Sequence, residues 1–138
     1  MSIIFDSFDL VGGVYVAKVV TPAMLRDHAF AKVQALLSAP RDYAPAVGVG
    51  VKSNASGATI AHLGALLAWG TLNPTLTTSW IEDDGAVVVL TGVQGADLAA
   101  LVLTYLQSVY GVLADAMTSI ASGVVATTAQ IDALAWPT

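Results

Sequence analysis

The stretch GADLAALVLTYLQSVYGVLADAMTSIAS, residues 95–122, decides the fold of this chain. Small and polar residues recur along it at intervals of three and four, as one stripe on an α-helix would: Thr104, Ser108, Gly111, Asp115, Thr118 and Ser122. A helix packed on one side of a small domain needs an apolar face of only about 100°. The apolar residues around this narrow stripe therefore suffice for two contacts, one with the rest of the chain and one with another copy or a partner.

The apolar residues of this predicted helix divide into two rows. We expect one row to face the core: Val102, Leu106, Val109 and Leu113. The second row, with spacings of four and seven residues, is the candidate oligomer interface: Leu101, Tyr105 and Val112. Only 11% of all residues are charged, and so few charges leave large apolar patches on a monomer. The composition therefore predicts a homo-oligomer.

A second motif, WIEDDGAVVVL at residues 80–90, predicts a β-hairpin. Asp84–Gly85 between apolar runs is typical of a two-residue turn, which would pair Glu82 with Val87. Strand alternation would then send Glu82 and Asp83 to opposite faces. The chain also lacks the closing Glu of an EF-hand loop. We therefore interpret the three adjacent acids as the tip of a turn and expect no metal site.

The N-terminal part predicts another hairpin, over residues 3–20, followed by a helix. The runs IIFDSFDL and VYVAKVV flank Gly12–Gly13, which suits the positive φ angles of a two-residue turn. Thr21–Pro22 is a helix start signal, and the helix should run to about Leu37. Because the hairpin has apolar residues on both faces, we interpret it as a docking element with four candidate contact residues: Phe5 and Val20 on one face, Phe8 and Tyr15 on the other.

The remaining segments predict short elements. Residues 41–56 read as a loop around one strand, AVGVGVK. Ser56 suits the N-cap of a helix over 57–70, with an inward face of Ile60, Leu63 and Leu67. A last helix over 127–135 ends at Trp136–Pro137. The predicted class is α+β, with an N-terminal β-hairpin, a small β-hairpin at 77–90, and a helical core dominated by the long helix at about 95–122.

Composition excludes several classes of partner. The five Lys and Arg residues all lie in the first 52 positions, and six acidic residues without any basic one follow. Such a surface repels phosphate, so we expect no nucleic-acid partner. The chain has no cysteine, which excludes disulfides and metal–thiolate sites. The best candidate span, LAALVLTYL at 98–106, is shorter than the ~20 apolar residues that cross a bilayer, so we expect no membrane insertion.

No motif predicts catalysis or a cofactor. GVGVKSNASG lacks the glycine that precedes Lys-Ser in a phosphate-binding loop. His28 and His62 stand in no catalytic or metal-ligand spacing, and no GxSxG motif is present. Trp69, Trp80 and Trp136 each stand near an end of an apolar element, as packing anchors would. Two alternatives remain open, a carbohydrate- or receptor-binding module in which Tyr43, Trp69 and Trp80 stack on a ligand, and a small enzyme.

From Val47 onward the order of features resembles a helical domain of unknown function that is found at the C-terminal end of bacteriophage tail-fibre and tail-assembly proteins. Three segments carry the resemblance: VGVGVKSNASGATIAHLGALLAWG (47–70), WIEDDGAVVVLTGVQGADLAALVLTYLQSVYGVLADAMTSIASG (80–123) and TTAQIDALAWP (127–137). The order of Trp-containing strand, acidic turn, Leu-Thr, long helix and terminal Trp-Pro is its most specific part. Residues 47–138 would form this domain, and residues 1–46 would be an attachment segment.

The resemblance implies a structural role without catalytic residues. It implies a component of a phage or phage-like tail that acts in a fibre, a tip or a baseplate-proximal adaptor. The implied assembly is a homotrimer that contacts other phage tail or fibre proteins. The implied location is the virion tail, after synthesis in the cytoplasm of the host bacterium.

Overall fold

The computed structural model describes the backbone of residues 4–11, 14–46 and 48–138, and side chains from residue 19 onward. Over these residues the chain forms helices and small antiparallel strand pairs, which confirms the predicted α+β class. The strands are β1 (Ile4–Val11), β2 (Val14–Val20), β3 (Arg41–Tyr43), β4 (Val51–Ser53), β5 (Thr77–Ile81) and β6 (Val87–Thr91). The helices are α1 (Pro22–Ser38), α2 (Gly57–Leu72), α3 (Gly92–Ser122) and α4 (Thr128–Asp132).

The chain divides into two compact units. The terminal unit comprises Met1–Gln34 and Ser108–Thr138, and the central unit comprises Ala35–Gln107. The boundary expected after residue 46 does not coincide with this division. Sequence patterns indicate where elements begin and end, but the grouping of the two ends of the chain into one unit depends on contacts between distant segments.

In the terminal unit, β1 and β2 form the predicted N-terminal hairpin. Val11 pairs with Val14 and Ile4 with Val20, with an irregularity between Phe5 and Ser7. The side chains of Phe5, Phe8 and Tyr15 lie outside the described residues. Val20 is buried in the core of its unit, so it is not an open docking residue as expected; β2 leads directly into α1 at this position.

α1 begins and α3 ends at the predicted signals, whereas α4 ends at Asp132, three residues before its predicted end. The Thr21 hydroxyl accepts the Met24 N–H at 3.2 Å, as an N-cap does. Gly123 follows α3 with a φ of 79°, the left-handed conformation of a helix C-cap. Thr127 and Gln130 form a reciprocal capping box at the start of α4. The core of the unit contains Val20, Leu25, Ala29, Val33, Val109, Leu113, Ala116, Ile120, Val125 and Ile131.

In the central unit, α2 buries Leu63, Leu66 and Gly70. The predicted inward residues Ile60 and Leu67 are only half-buried. Glycines explain the difference, because the end of α2 approaches the start of α3 backbone to backbone. A Cβ added to Gly70 would lie 2.3 Å from the Gly92 carbonyl oxygen. The buried row is therefore the one that ends at Gly70.

The segment before α2 contains two strands rather than one. β3 pairs with β4 in the register Arg41 with Ser53 and Tyr43 with Val51. Sequence reasoning missed β3 and placed the other strand too early, since three-residue strands carry no periodicity of their own. Ser56 stands at the N-cap of α2 as predicted, but its hydroxyl contacts the Thr59 hydroxyl at 3.1 Å instead of a backbone N–H.

α3 shows the predicted polar stripe. All six residues of the stripe are exposed, and Val102, Val109 and Leu113 are buried as expected, with Leu106 half-buried. The helix begins at Gly92, because the Gln94 side chain accepts the Thr91 N–H at 2.9 Å. α3 is long and apolar enough to cross a membrane. The core helix of a water-soluble protein meets the same criteria, so this length does not by itself indicate a membrane protein.

Candidate functional site: the β5–β6 hairpin

The β5–β6 hairpin closes with a three-residue loop, not the predicted two-residue turn. The Glu82 N–H donates to the Ala86 carbonyl at 2.8 Å, and the Gly85 N–H donates to the Glu82 carbonyl at 2.9 Å. Gly85 has a φ of 85°, whereas no described residue other than glycine has a positive φ. A turn followed by a left-handed glycine is the usual three-residue hairpin loop. Ile81 therefore pairs with Val87, one residue away from the predicted register.

The longer loop changes what the acidic side chains do. A Glu82 carboxylate oxygen accepts the Lys52 N–H at 3.0 Å. Both Asp83 carboxylate oxygens accept from the Asn54 side-chain amide, at 3.1 and 3.0 Å. The expectation that Glu82 and Asp83 diverge is thus wrong, because both contact the short segment from Lys52 in β4 to Asn54 just after it. They act as hydrogen-bond acceptors there, and the described residues contain no group of three metal-ligating side chains.

Asn54 joins the hairpin loop to the start of α2. Its amide oxygen accepts the Ser56 N–H at 3.1 Å and the Thr59 hydroxyl at 2.5 Å. Its amide nitrogen is the donor to Asp83. One side chain thus holds three parts of the central unit in fixed positions. A single Asn carries no sequence signal for such a role, since its partners lie up to 29 residues away.

Trp80 is an anchor on the inner face of the hairpin. It is 7% exposed, and its indole N–H donates to the Lys52 carbonyl at 3.1 Å. The His62 ring lies 5.3 Å from it, edge to face. A ring that stacks on a sugar needs an open face, so the burial of Trp80 supports the packing interpretation and not the carbohydrate-binding alternative.

A cleft of about 340 Å³ lies beside β5, within the central unit. Ser79, Trp80 and Ile81 form one wall, and residues between Lys52 and His62 form the other. Its charged residues are Lys52, which lies beside the acidic hairpin loop, and Asp83 of that loop, which accepts from Asn54. Within the cleft, the Ser53 and Thr59 hydroxyls donate to Asn54 and not to His62 or Asp83.

Tyr43, the second aromatic residue of the carbohydrate-binding alternative, lies in a cluster with Arg41 and Tyr105. The Arg41 guanidinium stacks 3.9 Å over the Tyr105 ring. The Tyr43 hydroxyl and the Arg41 Nε are buried without a hydrogen-bond partner among the described residues. Burial raises the pKa of the Tyr43 phenol, and the nearby Arg41 charge opposes that rise. The cluster is a packing contact between β3 and α3.

The candidate interface on α3 is wrong in one of its three positions. Leu101 is 36% exposed and Val112 is half-buried, but Tyr105 is only 7% exposed. Its ring lies under Arg41, and its hydroxyl donates to the Leu36 carbonyl at 3.3 Å. Tyr105 therefore packs inside its own chain. The three residues do not form an open face for a second copy.

An exposed apolar face lies instead on the outer side of the hairpin. Strand alternation puts Leu90 and Trp80 on the inner side, where both are buried. On the outer side, Ile81 is 68% exposed, Val87 62% and Val89 60%. We call these three residues the hairpin surface. The rest of the outer side is uncharged: Thr77, Ser79 and Thr91. The alternation of residues along the sequence shows which residues share this face. Which of the two faces is buried depends on tertiary packing.

One polar side-chain contact in the terminal unit was not predicted. The His28 ring Nε2 lies 2.8 Å from an Asp132 carboxylate oxygen, across 104 residues of sequence. The contact links α1 to the end of α4. The His28 side chain is partly exposed. No local pattern indicates a pairing over such a separation.

Comparisons with known proteins add no relative to this description. No family model, no curated protein and no solved structure matches the chain.

Proposed function

We propose that the protein is a non-enzymatic structural component of a phage or phage-like tail, acting in a fibre, a tip or a baseplate-proximal adaptor by homo-oligomeric assembly. The order of sequence features from Val47 onward supports the tail assignment. The observation that carries the assembly mechanism is the hairpin surface. Three large β-branched side chains there are about two-thirds exposed, with no charge among them, and such surfaces mark sites of protein–protein contact.

The free energy gained by burying the hairpin surface indicates how much it contributes to assembly. Full burial of a Val or Ile side chain contributes about 1.5–3 kcal/mol. For three side chains that are 60–68% exposed, burial in an interface contributes roughly 3–6 kcal/mol per protomer. Association costs at least about 4 kcal/mol in lost translational and rotational freedom. The hairpin surface therefore contributes strongly to assembly but needs a further contact beside it.

The mass of the protein in native buffer tests this proposal. We expect the wild type to be oligomeric by light scattering at tens of micromolar. Val89→Asp should shift it toward monomer, since a carboxylate without a partner in an interface costs several kcal/mol. Val89 is exposed within the protomer, so the variant should still fold. Gln107→Glu is the matched control, because it adds the same charge at an exposed position of α3.

Two outcomes would contradict the proposal. A wild-type monomer throughout this concentration range would exclude homo-oligomeric assembly. An oligomer that Val89→Asp leaves intact would exclude the hairpin surface. The tail assignment is tested separately, by mass spectrometry of purified particles from a strain that encodes the chain. The protein should co-purify with the tail at a stoichiometry that is a multiple of the copy number measured in solution.

A further inference from the structure

The hydrogen bonds of the β5–β6 ladder define which backbone groups of β6 face outward. The ladder lies between two hydrogen-bonded pairs, Leu76 with Gly92 and Glu82 with Ala86, each at 2.8 Å. Hydrogen-bonded and non-hydrogen-bonded pairs alternate in an antiparallel ladder. Val88 and Leu90 therefore bond to β5, whereas Val87, Val89 and Thr91 direct their N–H and C=O groups away from it.

Part of this outer edge of β6 has no partner. The Thr91 N–H donates to Gln94. Among the residues that the structure describes, the N–H and C=O groups of Val87 and Val89 bond to nothing. A strand edge with unpaired groups is a template for another strand. The edge of β6 thus presents two donors and two acceptors, two residues apart, beside the hairpin surface.

The devices that usually protect a strand edge are missing from β6. Its sequence, VVVLT, has no charged residue and no proline, and its ladder with β5 has no bulge. No described element covers the outer face of β6 either, because the Val87 and Val89 side chains are more than half exposed. The edge of β5 differs, since it borders the cleft whose other wall is the segment from Lys52 to Asn54. β6 is therefore the strand that is open for pairing.

We infer that β6 pairs antiparallel with β6 of a second copy, around a two-fold axis at Val88. In this register Val87 faces Val89 of the second copy and Val89 faces Val87 of the second copy. All four unpaired N–H and C=O groups of each chain's edge residues then take part, in four interchain hydrogen bonds. The result is a four-stranded sheet in the order β5, β6, β6, β5. This inference rests on the proposed assembly through the hairpin and names its partner.

Charge selects the antiparallel orientation for the pairing of two identical strands. Each hairpin loop carries three acidic residues, Glu82, Asp83 and Asp84. Antiparallel pairing about Val88 puts the two loops at opposite ends of the sheet, roughly 25 Å apart at about 3.4 Å per residue. That separation exceeds the ~8–10 Å over which surface charges interact at physiological salt. A parallel pairing would put the two acidic loops side by side.

The size of the contact predicts a reversible dimer. One strand pair with four hydrogen bonds buries far less than the ~800 Å² per partner of a stable complex. The dimer should therefore form and dissociate with concentration. Pairing also joins the two hairpin surfaces into one apolar face with two copies each of Ile81, Val87 and Val89. A second contact on that face would extend the dimer into a larger assembly with an even number of chains.

A single cysteine tests the register, because the chain has none of its own. Val88 and its copy would be a non-hydrogen-bonded pair with Cα atoms about 4.5 Å apart, within the range that a disulfide spans. Val88→Cys should form a disulfide-linked dimer under mild oxidation. Ser79→Cys is the control on β5, about 16 Å from its copy, because three strand spacings and two residues along the strand separate them. We expect at least tenfold more linked dimer from Val88→Cys.

Hydrogen exchange of the unmodified protein covers the case in which a variant fails to fold. The amides of Val87 and Val89 should exchange freely in dilute solution and become at least tenfold slower as the dimer forms. An oligomer that Val89→Asp disrupts, but with both amides unprotected and no Val88→Cys dimer, would overturn the β6 pairing and leave the proposed function standing. A strict trimer would also overturn the β6 pairing and leave the proposed function standing. A wild-type monomer at all concentrations would overturn both.

Discussion

Replacing Gly70 with alanine tests the backbone contact between the end of α2 and the start of α3. A Cβ at this position would lie 2.3 Å from the Gly92 carbonyl oxygen, 3.1 Å from the Gly92 carbonyl carbon and 3.3 Å from the Ala96 nitrogen. All three are backbone atoms, so no flexible side chain can move aside. The two helices would have to separate by about 1 Å, the difference between this contact and an ordinary one.

Two opposing free-energy contributions set the effect of Gly70→Ala on stability. Overpacking of a closely packed site typically costs about 1–3 kcal/mol, and a clash with backbone on a neighbouring helix belongs at the upper end. Alanine in a helix is favoured over glycine by up to about 1 kcal/mol. We therefore expect Gly70→Ala to lower the free energy of unfolding by on the order of 2 kcal/mol.

The same helix supplies the control. Gly64 is exposed, and a Cβ there meets nothing within 4 Å. Gly64→Ala should therefore show the helix-propensity gain alone and raise the free energy of unfolding by about 0.5–1 kcal/mol. Urea denaturation followed by circular dichroism measures both, provided that the m-values agree with the wild type. If Gly70→Ala proves as stable as Gly64→Ala, the close approach of α2 and α3 is wrong.

Two further predictions concern the cluster of Arg41, Tyr43 and Tyr105. Tyr105→Ala should lower the free energy of unfolding by about 3 kcal/mol, as expected for a buried aromatic side chain. Leu101 lies one turn earlier and is partly exposed, so Leu101→Ala should lower it by about 1 kcal/mol or less. Equal effects of the two changes in urea denaturation would contradict the burial of Tyr105. Since burial raises the pKa of Tyr43 above its unfolded value of about 10, stability that is fully present below pH 10 should be lost as the pH rises through the folded pKa. Thermal unfolding midpoints between pH 8 and 11 should then fall more steeply for the wild type than for Tyr43→Phe, and parallel curves would show that Tyr43 contributes nothing.

Local signals sufficed for the elements themselves. Three of these signals depend only on groups within a few residues of one another. They are the polar stripe of α3, the start of α1 at Thr21–Pro22 and the glycine after α3. A helix period or a capping hydroxyl needs no distant partner, because the chain's own geometry supplies it. The same is true of the β1–β2 and β5–β6 pairs, which follow from apolar runs on both sides of a short glycine-containing segment.

The register of the β5–β6 hairpin depends on both the local sequence and tertiary packing. Asp84–Gly85 is compatible with both a two-residue and a three-residue loop. The observed loop puts the left-handed conformation on Gly85 alone and leaves the Asp84 carboxylate to accept the Ala86 N–H at 3.0 Å. It also places Trp80 on the inner side, where its indole reaches Lys52. A shift of one residue would reverse the faces of the strand relative to β6, so packing decides the choice.

The sequence by itself determined the four helices, the β1–β2 and β5–β6 hairpins, the α+β class and the uncharged character of the β6 strand, but not the β3–β4 pair. Only the tertiary structure decided which apolar residues stay open. Periodicity shows which residues share a face, but Tyr105 is covered by Arg41 from a strand 64 positions earlier, while Val87 and Val89 stay exposed because no described element covers them. The contacts of Asn54 with Asp83 and of His28 with Asp132 have the same origin. Each joins side chains that are distant in sequence and adjacent only after folding, so no spacing along the chain can encode them.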